Sequence, residues 1–295
     1  MERGINTRCL HLLDEERTEH FGSLSYPIYQ TATYAHPGVG KSTGYDYSRL
    51  QNPTREHLER IVAGLEYGTE AFALSTGMAA ITLLFELFKP GDHIISEADL
   101  YGGSIRLFDN ISKKNGYSFT YVDCARTDLE KEIRPETKAI YIETPTNPMM
   151  NVSDIGKISE ICKNHGLLLI VDNTFLSPYF QNPLLLGADV VIHSGTKFLG
   201  GHNDTLAGFI VTKDPAISEK LRFLIKTTGA GLAPFDSWLL IRGIKTLGIR
   251  MEKAQKNALL LADWLKKEKI VKKVYYPGLP EHPGYGIMKK QSRGF

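Results

Sequence analysis

Residues Val190–Gly201 read VVIHSGTKFLGG: an apolar, β-branched start, two small residues, a threonine and one lysine, then more small residues around an apolar pair. β-Branched apolar runs bounded by Ser and Gly fit a buried strand. Lys197 therefore arrives just past a strand end, in a loop crowded with Ser194, Gly195, Thr196, Gly200 and Gly201. A lysine is seldom drawn into apolar surroundings unless a partner or a covalent bond holds it there. One chemistry that uses such a lysine is a Schiff base to pyridoxal phosphate (PLP), with nearby hydroxyls and amides on the phosphate. A surface lysine following a core strand satisfies the same pattern, so the decision falls to the flanking chain.

Outward from this stretch, strand and helix patterns alternate. Apolar runs mark strands at 70–74, 93–96, 118–122, 139–143 and 167–172. Helical spacing marks 55–65, a run opening at Ser75–Met78, then 105–114, 155–165 and about 249–267. Such alternation implies an α/β fold with a mostly parallel sheet sandwiched by helices. Ligands of these sheets bind beyond the carboxyl ends of strands, where Lys197, Asp172 and the Ser75–Met78 turn all fall.

Each candidate has a structural and a chemical reading. Ser75-Thr76-Gly77-Met78 is an ordinary helix cap, and equally an anion site, since free N–H groups open a helix there and Gly77 admits close approach. Asp172 ends a very apolar strand, so its carboxylate must be paired or become neutral; it caps a neighbouring amide or faces a pyridinium nitrogen and keeps it protonated. Tyr101, before Gly102 and Gly103, is packing, or a catalytic ring that stacks on a planar ligand and helps move protons. Asn147, in TPTNP, is turn chemistry or an amide donor to a phenolic oxygen.

Composition sets the class. The chain has 295 residues, 42% of them hydrophobic, and net charge +2, which argues for neither a nucleic-acid nor a membrane partner. Cys9, Cys124 and Cys162 form no C-x-x-C, which fits a reducing compartment and gives no metal signature. The charged N-terminus is no secretory signal and no apolar run spans a bilayer, so the chain reads as cytoplasmic. Residues 1–50 are rich in Thr, Ser, Tyr, Gly and Pro with little helical or strand period, an arm expected to wrap another surface. Within it PGVGKST (37–43) imitates a phosphate-binding P-loop, but Ala35 stands where that pattern needs its first glycine. With the strand end LLLIVDN, it keeps a nucleotide hydrolase as a rival.

The segments YDYSRLQNPT, STGMAAI, LYGGSIRLFD, ETPTNP, VDNTF, HSGTKFLGGH and FDSWLLIRGIKTL, in this order, resemble the Cys/Met-metabolism (transsulfuration) family of PLP-dependent enzymes. Its members include cystathionine γ-synthase, cystathionine β- and γ-lyases and O-acylhomoserine sulfhydrylases. The resemblance implies PLP as cofactor and the fold type I, aspartate-aminotransferase-like architecture. It implies that Lys197 forms the Schiff base and acts as base, that Asp172 partners the ring nitrogen, and that Gly77, Met78, Ser194 and Thr196 bind phosphate. Tyr101 would stack on the ring and Asn147 would contact the phenolic oxygen. Arg106, five residues after Tyr101, faces either the leaving acyl group of the substrate or solvent. Tyr47 and Arg49 would reach the phosphate of a neighbouring subunit, in a homo-oligomer that is a dimer of dimers.

Three regions are then expected: an arm at 1–50, a PLP-binding domain at 51–243, and at 244–295 a long helix opening a C-terminal domain that is largely absent. The activity implied is γ-replacement on an O-acylhomoserine, with cystathionine β- or γ-cleavage as the alternative and a PLP-binding chain without turnover as a further one.

Overall fold

A computed structural model describes residues 3–13 and 20–295. In chain order the elements are α1 (Ile5–His11), α2 (Pro53–Leu65), β1 (Glu70–Leu74), α3 (Gly77–Phe85), β2 (His93–Glu97), α4 (Gly102–Leu107), β3 (Ser118–Val122), β4 (Thr137–Glu143), α5 (Ile155–His165), β5 (Leu168–Asp172), α6 (Ser177–Phe180), β6 (Val190–Ser194), β7 (Gly208–Thr212), α7 (Pro215–Thr228), α8 (Pro234–Ile244), α9 (Leu247–Leu265) and α10 (Tyr285–Gln291). The strands form a seven-stranded sheet in the order β1-β7-β6-β5-β4-β2-β3. Two compact units, each discontinuous in sequence, comprise residues 1–87 with 193–247 and residues 88–192 with 248–295.

In the first unit β1 and β7 pair antiparallel, Glu70 opposite Thr212. Leu74 and Phe209 are fully buried there, as are Leu58 and Leu65 on the apolar face of α2. Asn52 starts α2: its side chain accepts the N–H of Thr54 at 3.0 Å and of Arg55 at 3.4 Å, and Pro53 pre-sets the first helical φ. The same Asn52 amide donates to Tyr29 O, the Tyr34 hydroxyl and Ser48 Oγ, tying the preceding arm to the helix. Arg55 completes that attachment. Its guanidinium, in a residue 4% exposed, donates to the carbonyls of Ser48, Arg49, Leu50 and Leu232 at 2.8, 3.5, 3.1 and 3.4 Å.

In the second unit β3, β2, β4 and β5 pair parallel, and residues 190–192 of β6 continue the ladder beside β5. Ile94, Ile95, Ile140, Tyr141 and Ile142 are fully buried. Asp154 caps α5 by accepting the Lys157 N–H, and Gly166 ends it at φ 64, a left-handed conformation that a side chain resists.

The α/β expectation holds, and so does the mostly parallel sheet. Several details differ. The arm carries a helix, α1. The expected helix over 105–114 starts earlier, at Gly102, and passes at Phe108–Ser112 into a π-helical turn. Strand β7 and helices α6, α7, α8 and α10 are not among the expected elements: GFIVT is too short a run to announce a strand by period, and the apolar residues of α7 are diluted by Lys and Arg. The P-loop rival fails. Gly38–Lys41 closes a tight turn, Lys41 N–H to Gly38 O at 3.0 Å, with no helix following Lys41 before α2. Without a helix start behind the lysine, no row of amides faces a nucleotide phosphate.

Candidate active site

The first unit supplies a cradle of small residues. Thr76, extended at φ −155, caps α3 by accepting the Ala79 N–H at 2.9 Å. The amides of Gly77 and Met78 are first-turn donors with no acceptor inside the helix. A Cβ at Gly77 would stand 2.9 Å from Ser194 Cβ, and one at Gly208 only 2.1 Å from Thr76 O. The start of α3 is therefore pressed against the end of β6 and the first residue of β7, an approach only glycine permits. Past β6 the chain turns: Lys197 N–H donates to Ser194 O at 3.2 Å, Gly200 N–H to Gly195 O at 2.8 Å and Gly201 N–H to Lys197 O at 2.8 Å. Thr196 Oγ1 accepts the Ala207 N–H at 3.1 Å, and Thr196 N–H donates to Ala207 O at 3.3 Å, pinning the turn to β7. Gly77, Met78, Ser194, Thr196 and Lys197 are thus brought to one end of this unit. Lys197 itself is exposed rather than drawn into apolar cover.

The second unit supplies buried acid. Asp172, 8% exposed, closes β5 and accepts both the N–H and the hydroxyl of Thr174 on Oδ1, at 3.0 and 2.6 Å. Its strand partner in β6 is Ile192, so Lys197 follows shortly along the chain from the residue beside Asp172. Glu143 closes β4 as the register partner of Asp172. Tyr141 is fully buried two residues earlier; burial first, then the charges of Asp172 and Glu143, push that phenol far above its ordinary range. Burial and then the Asp172 charge likewise raise the Glu143 carboxyl, against the lowering bond from the Tyr101 amide.

Tyr101 heads α4, half exposed at 49%. Its ring lies over Gly103, where a Cβ would come within 2.3 Å of a ring carbon. Asn147 is exposed in the turn after β4, between the cis peptide bonds Thr144–Pro145 and Asn147–Pro148. Arg106 is exposed on α4. Tyr47 and Arg49 are exposed on the arm of the first unit, Arg49 donating to Lys226 O of the same chain.

Glu143, Tyr141 and Thr174 are not among the residues singled out by sequence. The signal for Glu143 was the one used for Asp172, an acid closing an apolar strand. Tyr141 alternates with it on the same face of KAIYIE.

These residues fit PLP: glycine-admitted amides and hydroxyls suit a phosphate, a primary amine suits an aldehyde, and a donor-stabilised buried carboxylate suits a cationic ring nitrogen. The family model described as Cys/Met metabolism PLP-dependent enzyme matches residues 6–295. The chain belongs to that family. Among curated relatives of the family, the cystathionine gamma-lyase of Bacillus subtilis is 50% identical over 94% of this chain and 73% of its own length. The cystathionine gamma-synthase/O-acetylhomoserine (thiol)-lyase of the same organism is 50% identical over 99% of this chain and 78% of its own. A solved structure, cystathionine gamma-lyase from Lactobacillus plantarum complexed with L-serine, superposes with TM-score 0.96 at 45% identity, covering 99% of this chain and 77% of that one. The fold is the type I fold of PLP-dependent enzymes, and PLP is the cofactor. Among the described residues, no helix is long and apolar enough to cross a membrane.

Proposed function

We propose that this transsulfuration enzyme performs γ-replacement on an O-acylhomoserine: O-acetylhomoserine plus cysteine gives cystathionine plus acetate, and a sulfide donor gives homocysteine. The observation that carries the assignment of the site is Asp172, a buried carboxyl group that accepts two Thr174 donors on the strand beside β6. In this reading Gly77, Met78, Ser194 and Thr196 hold the phosphate, and Lys197 holds the aldehyde carbon. Asp172 keeps the ring nitrogen protonated, Tyr101 covers the ring face, and Asn147 donates to the phenolic oxygen. When bound, PLP supplies an electron sink that acidifies the α- and β-protons of an amino acid. Lys197 Nζ would be the base that takes the α-proton, and only after handing that proton on would it be free to take one β-proton as the γ-substituent leaves. Arg106 faces the leaving acyl group. Leu50 follows Arg49 where a second cation would favour a succinyl carboxylate, and this supports acetyl over succinyl.

Tyr47 and Arg49 are proposed to complete the phosphate site of a neighbouring copy, in a dimer of dimers within the cytoplasm. Regions 1–50, 51–243 and 244–295 are then arm, PLP-binding domain and opening of a C-terminal domain. Cystathionine cleavage is the second reading, supported by the lyase names of equally similar relatives. Incubation with O-acetylhomoserine plus cysteine, against cystathionine alone, tests the choice by product mass. Cystathionine and acetate from the first mixture support replacement; 2-oxo acid, ammonia and thiol from cystathionine alone support cleavage. Bound PLP without turnover in either leaves a chain that binds the cofactor and does not catalyse. Borohydride reduction followed by peptide mapping tests the site, with label expected on Lys197 and absent in Lys197→Ala.

A further inference from the structure

Glu143 and Asp172 are Cα partners in the parallel ladder of β4 and β5. Partners of neighbouring parallel strands project from the same face, about 4.8 Å apart along the hydrogen-bonding direction. Both residues are buried, at 7% and 8% exposure. Two desolvated carboxyl groups so placed favour holding one proton between them over carrying two charges. Their donors are unequal. Asp172 Oδ1 accepts an amide and a hydroxyl, both from Thr174, whereas Glu143 Oε2 accepts the Tyr101 N–H at 2.9 Å.

The charged groups that weigh most on Glu143 are all acids: Asp172, Asp99 and Glu97. Asp99 is engaged with the Thr146 hydroxyl and the Met149 N–H, and Glu97 with the amides of Ala98, Asp99 and Cys124. Tyr141 and Ser104, also at this end of the strands, are neutral. Glu143 is therefore the member of the pair that keeps the proton. Its backbone bond fixes Tyr101 from one side, while Gly103 leaves the space the Tyr101 ring fills on the other.

We infer that Glu143 is a positioning residue for the cofactor ring: it holds Tyr101 through the amide and keeps the proton of the Glu143–Asp172 pair, leaving the negative charge on Asp172. The inference rests on the proposed assignment of Asp172 to the ring nitrogen and Tyr101 to the ring face.

Two readouts need no cofactor. The infrared difference between the full chain and Glu143→Gln, both free of PLP, is expected to show a protonated carboxyl stretch near pH 7. Hydrogen exchange at the Tyr101 amide is expected to quicken about tenfold in Glu143→Ala, the worth of one hydrogen bond, and to stay unchanged in Glu143→Gln. With PLP, Glu143→Gln is expected to keep the affinity and absorbance of the parent near pH 7. It should also lack the parent's spectral change at higher pH, where Glu143 ionises. Glu143→Ala is expected to bind PLP about tenfold more weakly.

Absence of the carboxyl band, unchanged Tyr101 exchange in Glu143→Ala, or a Gln variant as impaired as the Ala variant would overturn the inference. Should Glu143→Ala not fold, the isosteric Gln variant decides through the infrared band and the spectral titration. If the parent chain leaves Lys197 unmodified by PLP and borohydride, the cofactor assignment fails instead.

Discussion

At the residue scale, Asp172 shows why an acid survives at the end of an apolar strand. Thr174 supplies two donors to one oxygen, and hydrogen bonds to the charged form offset desolvation. Asp172→Asn keeps the shape and removes the charge. Turnover of the PLP-loaded chain is expected to fall on the order of 100- to 1,000-fold, the effect of losing one preorganised electrostatic group, with cofactor binding less affected; steady-state kinetics and PLP titration check both. The sequence disclosed this acid through its setting in LLLIVD. It concealed the role of Glu143, because what distinguishes Glu143 is its register beside Asp172 and the Tyr101 amide, and both are properties of the folded sheet. The exposure of Lys197 was likewise not readable, since cover depends on what surrounds a loop and not on the loop's own residues.

At the scale of elements, the site depends on how closely α3 approaches β6 and β7. Gly208→Ala would drive a methyl into the Thr76 carbonyl at 2.1 Å, a backbone atom that a rotamer change does not move aside. A loss of about 1–3 kcal/mol is expected in denaturant unfolding. Gly77→Ala meets Ser194 Cβ at 2.9 Å and is expected to weaken PLP binding by shifting Ser194, measured by cofactor titration. Most strands were legible because β-branched runs ended at turn residues, α2 and α5 because their apolar residues recur at helical spacing, and α3 because Ser75–Met78 opens it. Strand β7 was not. Its five residues are recognisable as a strand only beside β1, with which they pair antiparallel.

At the scale of the molecule, stability carries a pH signature. Glu59 accepts the Ala73 N–H at 2.8 Å in a partly buried position, and burial raises its carboxyl to about 7, against the opposing charge of Arg55. A carboxyl held higher in the folded chain than in the unfolded one binds its proton more tightly when folded. Its contribution is thus fully present below the unfolded value and is lost as pH rises through about 7. Unfolding midpoints in urea are expected to fall between about pH 5 and pH 8, and Glu59→Gln is expected to flatten that slope. The composition and patterning of the chain gave the α/β class. They left the arm open, since the Thr-, Ser- and Tyr-rich run has no period by which its resting place could be read.

The Arg55 guanidinium gives that arm an unusual mechanical character. Three consecutive carbonyls, at residues 48–50, find their donors on one buried side chain rather than on a neighbouring ribbon of backbone. This irregular stretch is consequently as intolerant of a change in length as a central strand. Two glycines inserted after Arg49 should lower the melting temperature sharply. The same pair inserted after Gly40, in the solvent-facing hairpin bend, should leave it nearly unmoved.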